Sequence, residues 1–198
     1  MTNKSGRSSR DIGGLAASAL ATTEMPTDGL PEFAFLGRSN SGKSSLINRL
    51  VGSKVARESQ TPGQTVRLHF YRMPEWYLVD LPGFGYAKRS KADRAFFGQA
   101  VETYLTTRQP LWGGILIQDC RRDPAEEEAL VVQWAEQSNR ILVVVANKMD
   151  KLNRRQQEER SQALEQAYGR QVLMVSAKFK QGLDPVRSAI RSLGLRLP

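Results

Sequence analysis

Apolar positions along the chain alternate between two periods. Phe33–Leu36 is a short consecutive apolar run, as in a strand covered on both faces, and Leu46, Ile47 and Leu50 then recur at helical spacing. Val66–Arg72 and Trp76–Val79 are β-rich runs joined through Pro74–Glu75, which reads as a hairpin. Ala92–Thr106 carries a helical pattern, Ile115–Ile117 reads as a buried strand, and Ile141–Ala146 is a continuous β-branched strand. Between the last two, Asp123-Pro124-Ala125-Glu126 has the form of a helix start, with Asp123 as N-cap, Pro124 in the first turn and Glu126 three residues after the cap; Val131 and Trp134 continue it. Arg154–Ala167 reads as a charged helix, Val172–Val175 as a strand and Leu183–Leu193 as a closing helix. Strands separated by helices predict a doubly wound α/β sheet, mostly parallel, in which the hairpin supplies one antiparallel strand.

Residues 1–30 show no sustained period and are rich in Ser, Thr, Gly and Ala. Leu15–Ala21, preceded by Arg7 and Arg10, loosely mimics a signal peptide, but its apolar core is short and mostly alanine. The segment is expected to be a flexible N-terminal arm or a short docking helix, with the folded domain spanning 31–198.

Composition changes this picture in two ways. One cysteine, Cys120, in 198 residues excludes a disulfide framework and a zinc ribbon, and suits a reducing, cytoplasmic compartment. No apolar run approaches the length of a membrane span, so no membrane association is expected. The net charge is +9, and the excess lies after residue 30, because Lys4, Arg7 and Arg10 are balanced by Asp11, Glu24 and Asp28. A basic folded domain of this kind points to a polyanionic partner, most often nucleic acid.

The chemistry sits in loops after the strands. Gly37-Arg38-Ser39-Asn40-Ser41-Gly42-Lys43-Ser44 fits G-x-x-x-x-G-K-[ST] between a predicted strand and a predicted helix. Glycines let backbone wrap a phosphate, successive N–H groups and the helix N-terminus favour its oxygens, Lys43 reaches the outer phosphates, and the Ser44 hydroxyl suits Mg²⁺. Asp80-Leu81-Pro82-Gly83 ends a strand. Asp80 is therefore placed on the metal side, acting through water, and the Gly83 N–H can meet a γ-phosphate. Thr65, in Thr61-Pro62-Gly63-Gln64-Thr65, is a candidate second hydroxyl ligand to Mg²⁺, with Thr61 as its rival. Asn147-Lys148-Met149-Asp150 ends the strand Ile141–Ala146. The Asp150 carboxylate can accept from guanine N1–H and the exocyclic amine, donors that adenine lacks on that edge, so it separates GTP from ATP. Asn147 can tie this loop to the phosphate loop, the Lys148 stem can cover the base, and Ser176-Ala177-Lys178 can offer a backbone N–H to the guanine carbonyl.

These motifs, in this order, resemble the translation-factor-related GTPases. Gly37–Ser45, Thr61–Thr65 and Asp80-Leu-Pro-Gly-Phe-Gly-Tyr-Ala87 in particular resemble the EngB (YihA/YsxC) family, of the TrmE-Era-EngA-EngB-septin-like superfamily, over about Leu30 to Leu195. The resemblance implies a Ras-like, three-layer phosphate-loop fold and slow Mg²⁺-dependent GTP hydrolysis. It also implies a switch role in assembly of the large ribosomal subunit, with rRNA as partner and no DNA specificity, and a need for the protein in cell division and septation. A monomer is expected. The implied nucleotide contacts are Gly37–Ser45, Gly63–Thr65, Asp80–Gly83, Asn147–Asp150 and Ser176–Lys178, with Lys43, Thr65, Gly83 and Asn40 on the catalytic side. Where many GTPases carry a water-orienting glutamine after the D-x-x-G glycine, this chain has Phe84. Asn40 resembles the asparagine that ligates K⁺ in potassium-stimulated relatives, so a monovalent cation there is expected to supply the missing charge; its alternative is loop stabilisation by side-chain hydrogen bonds.

Other residues invite functional readings. His69, the one histidine, lies in a strand without a Ser or Cys partner motif, and Cys120 reads as a small core residue. Glu126–Glu128 suit a first helical turn. Lys88, Arg89, Lys91 and Arg94 follow Phe84 and Tyr86, a combination that suits RNA; Lys178, Lys180, Arg187, Arg191 and Arg196 make the C-terminal stretch basic as well. The rival functions are a GTP-gated scaffold whose hydrolysis is incidental and a small-molecule phosphotransferase; no lid or acceptor pocket is legible for the latter.

Overall fold

The structure is a computed structural model, and it describes residues 12–56, 67–84 and 100–198. The strands are β1 (Leu15–Ala19), β2 (Glu32–Gly37), β3 (Leu68–Arg72), β4 (Tyr77–Asp80), β5 (Leu111–Asp119), β6 (Ile141–Asn147) and β7 (Val172–Met174). The helices are α1 (Lys43–Val51), α2 (described over 100–107), α3 (Glu126–Gln137), α4 (Arg154–Tyr168) and α5 (Leu183–Ser192). The strands form one sheet in the order β1-β3-β4-β2-β5-β6-β7. Only β3 runs against the others: it pairs antiparallel with β4 and with β1, while β4, β2, β5, β6 and β7 pair in parallel.

The side-chain period of two explains the layers. Phe33 and Phe35 of β2, Ile115 and Ile117 of β5 and Val145 of β6 face α1 and α5, where Leu46, Ile47, Leu50, Val186 and Ile190 meet them. Ala34, Leu36, Leu116, Val144 and Ala146 point the other way, onto Tyr104 of α2, Val131 of α3 and Leu164 and Tyr168 of α4. A sheet covered on both faces needs apolar residues at consecutive positions, as the runs in β2 and β6 show. Cys120 is fully buried, and burial with the neighbouring Asp119 charge pushes its thiol up to about 11, so it is a core residue. At the far end of the sheet from the strands' C-termini, buried Glu32 accepts from Arg108 Nε at 3.0 Å and from Tyr104 Oη at 3.0 Å, which fixes the end of α2 to the start of β2.

Three expectations change. The described part of the expected arm is folded: Leu15–Ala19 is the edge strand β1, in register Ala19↔Leu68, and Ala19 and Met25 are buried. Leu-Ala-Ala-Ser-Ala has weak intrinsic β preference, so the strand exists because β3 offers it an edge. Arg72 N–H donates to Gly14 O at 2.9 Å, and Arg67 Nη2 donates to Ser18 O at 2.9 Å and to Glu24 at 2.7 Å. Residues 1–11 lie outside the described residues. The strand expected at Ile115–Ile117 extends over nine residues, because Gly113 and Gly114 mask the apolar pattern at its start. Helix α3 is capped at Ala125, not Asp123: the Glu128 carboxylate accepts the Ala125 N–H at 3.1 Å, while Asp123 pairs with Arg160 of α4 at 2.8 Å.

Candidate nucleotide site

The parallel strands β2, β4, β5 and β6 end on Gly37, Asp80, Asp119 and Asn147, the edge where doubly wound sheets bind ligands. The phosphate loop bridges β2 and α1. Gly42, at φ 89°, is the N-cap of α1, and a Cβ there would collide with Asn147 Nδ2. Asn40 also takes the left-handed region, at φ 67°. Lys43 and Ser44 occupy the first turn of α1, whose leading N–H groups lack partners within the helix. Buried Lys43 Nζ forms an ion pair with buried Asp80 Oδ1. The Ser41 hydroxyl is buried and has no hydrogen-bond partner among the described residues.

The segment after β4 is laced to this loop. Leu81 N–H donates to Phe35 O at 3.1 Å, Ser39 N–H to Phe84 O at 2.9 Å, and Ser39 Oγ to Gly83 O at 3.3 Å. A Cβ on Gly83 would approach Ser39 N to 2.9 Å, so only glycine lets the two backbones lie this close. Leu81 and Pro82 are buried beneath them. Thr61, Gly63, Gln64 and Thr65, and Tyr86, Lys88, Arg89, Lys91 and Arg94, lie outside the described residues.

On the base side, one residue joins three loops. Asn147 is 2% exposed; its Nδ2 donates to Ser41 O at 3.0 Å and its Oδ1 accepts the Ala177 N–H at 3.0 Å. Asp150 Oδ1 accepts from Ser176 Oγ at 2.6 Å, which leaves Oδ2 without a bond to the described residues. Ser176 N–H is spent on Gln181 O, and Ala177 N–H on Asn147. Of the three residues expected to offer an amide to a base carbonyl, Lys178 is therefore the one without a protein acceptor for its N–H among the described residues. Lys148, at φ 70°, reaches back to Asn40 O at 2.5 Å.

Two supports for this site had no motif to announce them. Asp119 holds Lys148 Nζ at 3.1 Å, and Arg121 holds Asp119 through Nε at 2.9 Å and Nη2 at 2.7 Å. Burial alone would raise the Asp119 carboxyl, but the bonds from Arg121 and Lys148 outweigh it and hold it well below the usual carboxylate range. Arg38 of the phosphate loop pairs with Glu127 at 3.1 Å and lies 3.8 Å from Glu128, so two acids of the α3 first turn also anchor the loop. The clue for Asp119 was its position: it ends a parallel strand, as Asp80 and Asn147 do. A cavity of about 320 Å³ opens here between Arg38, Asn40, Asp119, Arg122 and Lys148. A larger one, about 580 Å³, lies at the other end of the sheet beside Leu15, Met25, Arg72 and Tyr77 and has no phosphate loop.

Known proteins resemble this chain in sequence and in fold. The family described as 50S ribosome-binding GTPase matches residues 32–178. The probable GTP-binding protein EngB of Lactiplantibacillus plantarum is 40% identical over 178 residues, covering 87% of this chain and 90% of its own. That of Alkaliphilus metalliredigens is 37% identical over 185 residues, covering 90% and 89%. The crystal structure of a probable GTP-binding protein engB superposes with a TM-score of 0.68 at 22% identity, over 82% of this chain and 97% of that one, and shows the same fold. With its phosphate loop, D-x-x-G turn and Asn147–Asp150 loop assembled at one edge of the sheet, the chain is a GTP-binding GTPase and belongs to the EngB family.

Proposed function

We propose that this GTPase is a switch in assembly of the large ribosomal subunit, binding a precursor particle in one nucleotide state and leaving it in the other, and that cell division and septation depend on it through that role. The observation that carries the reading is the match of residues 32–178 to the family described as 50S ribosome-binding GTPase. The net charge of +9 supports an rRNA partner. The protein's site of action would be ribosomal particles in the cytoplasm; among the described residues no helix is long and apolar enough to cross a membrane.

Within the site, Lys43 has two anionic partners to choose between, the Asp80 carboxylate and a phosphate, and the buried pair holds its side chain beside the loop. The donor set fits Mg²⁺: a hydroxyl in the first turn of α1 and a buried carboxylate at the end of β4 are hard oxygen ligands at the phosphate side. Ser44 would hold the ion directly and Asp80 through water, with Thr65 as a third ligand. The ion would neutralise phosphate charge. Gly83 would present its N–H to the γ-phosphate from a backbone already seated on Ser39. Phe84 cannot orient water. Asn40 is exposed in the phosphate loop at φ 67°, and its side-chain oxygen would be offered to K⁺ there.

Co-sedimentation with large-subunit precursors tests the reading. Retention in a non-hydrolysable GTP analogue, release in GDP and faster turnover with particles are expected. Equal sedimentation in both nucleotides without stimulation would refute it.

A further inference from the structure

The sharp turn that follows β7 presents an aromatic ring to solvent beside the guanine pocket. Residues 176 and 181 form an antiparallel bridge, with Ser176 N–H donating to Gln181 O at 2.9 Å and Gln181 N–H to Ser176 O at 3.1 Å. The bridge closes a four-residue tip, Ala177-Lys178-Phe179-Lys180, in which Lys180 takes φ 59° and Gly182 follows at φ 68°. Phe179 N–H donates to Ser176 Oγ at 3.2 Å, the same hydroxyl that donates to Asp150. The tip is thus ordered before any partner arrives, and its order is shared with the base-reading carboxylate.

Phe179 is nevertheless 57% exposed. Single exposed apolar residues are ordinary, but this one has a lysine against its ring, lysines on either side in the chain and an arginine bonded to the tip backbone. Lys178 Nζ lies 4.9 Å from the ring centroid. Arg49 Nε donates to Ala177 O at 2.9 Å, and Arg187 Nη2 donates to Arg49 O at 3.1 Å. Lys180 is exposed, and the nearest acid on α5, Asp184, is paired with Arg187 at 3.2 Å. A rigid exposed ring among phosphate-seeking side chains is what an unpaired base and its backbone need, whereas a duplex hides its base faces.

We propose that this tip is a platform for single-stranded RNA, with Phe179 stacking one base and Lys180, Lys178 and Arg49 meeting the flanking phosphates. The inference deepens the ribosomal reading above, since it names unpaired rRNA as the part of the particle recognised. It places the RNA contact beside the nucleotide, on a loop ordered through Ser176.

The test uses the full chain loaded with GDP, and fluorescence anisotropy of a labelled oligoadenylate and of an RNA duplex of equal length. Wild type should prefer the single strand. Phe179→Ala should weaken that binding about tenfold, or ~1.4 kcal/mol, while Phe179→Trp restores it, and Lys180→Gln should lower the salt slope by about one. GDP affinity should be unchanged in all three variants, which shows that the site is intact. Equal binding of oligoadenylate by wild type and Phe179→Ala, no binding by wild type, or no preference over duplex would overturn the platform. Sedimentation with precursor particles separates the two readings. If wild type fails to sediment while its oligoadenylate binding depends on Phe179, the ribosomal reading falls and the platform stands. If wild type and Phe179→Ala sediment alike, the platform falls and the ribosomal reading stands.

Discussion

Replacing Asn147 by alanine should loosen the nucleotide site more than any change to a residue that touches only one loop. Its side chain makes two buried bonds, to Ser41 O and from Ala177 N–H, both at 3.0 Å, and so ties the phosphate loop and the loop after β7 to the end of β6. Truncation strands a carbonyl and an amide. Each buried group left unsatisfied costs ~1–3 kcal/mol. Water can enter the vacated volume and recover part of that, so a loss of about 2–4 kcal/mol is expected. For a chain of this size that lowers Tm by roughly 4–15 °C. Guanine nucleotide affinity should fall by at least about tenfold, because ordering the two loops must then be supplied by binding. Urea denaturation with and without GDP measures both effects: the stabilisation by a fixed excess of GDP scales with the logarithm of its affinity. Gly42→Ala should reproduce the defect from the other side, since its Cβ would meet Asn147 Nδ2 at a backbone φ of 89°. A stability change below about 0.5 kcal/mol in Asn147→Ala, with unaltered GDP stabilisation, would refute the idea that this side chain braces the loops.

Asp150→Asn should move preference from GTP toward xanthosine triphosphate, with a loss of roughly 1.5–3 kcal/mol for GTP; a GTP affinity within about threefold of wild type would show that this carboxylate does not read the base. The Asp119 carboxyl is held below its unfolded range, so its ionised form stabilises the fold at and above the ordinary carboxylate pKa of about 4, and that contribution is lost as pH falls through the lowered value. Comparing wild type with Asp119→Asn in urea across acidic pH should therefore show a stability gap that is present at neutral pH and closes on acidification; a gap independent of pH would contradict the assignment. Turnover with ribosomal particles should be faster in K⁺ than in Na⁺ at equal ionic strength, and Asn40→Ala should abolish the difference; matching rates in wild type would leave a partner-supplied group as the catalyst.

Much of this protein was legible in one dimension, and the reason is local. A phosphate loop needs glycines, a lysine and a hydroxyl at fixed spacing between a strand and a helix, so Gly37–Ser44 announces its own geometry. The same holds for Asp80–Gly83 and Asn147–Asp150, each directly after an apolar run that becomes a strand. Parallel strands covered on both faces also read plainly, because β2 and β6 are apolar at successive positions. What the tertiary structure decided depends on partners distant in the chain. Leu15–Ala19 becomes a strand only because β3 lies beside it, and no local preference of alanine and serine says so. Asp123 looks like a cap, yet Glu128 serves the Ala125 amide and Arg160 claims Asp123. Asp119 and Arg121 stand next to no motif, and their part in holding Lys148 exists only because β5 and β6 end side by side. Charge pairing and strand pairing are long-range contacts, set by which surfaces the packed core brings together; spacing along the chain determines only what the backbone of a few adjacent residues can do.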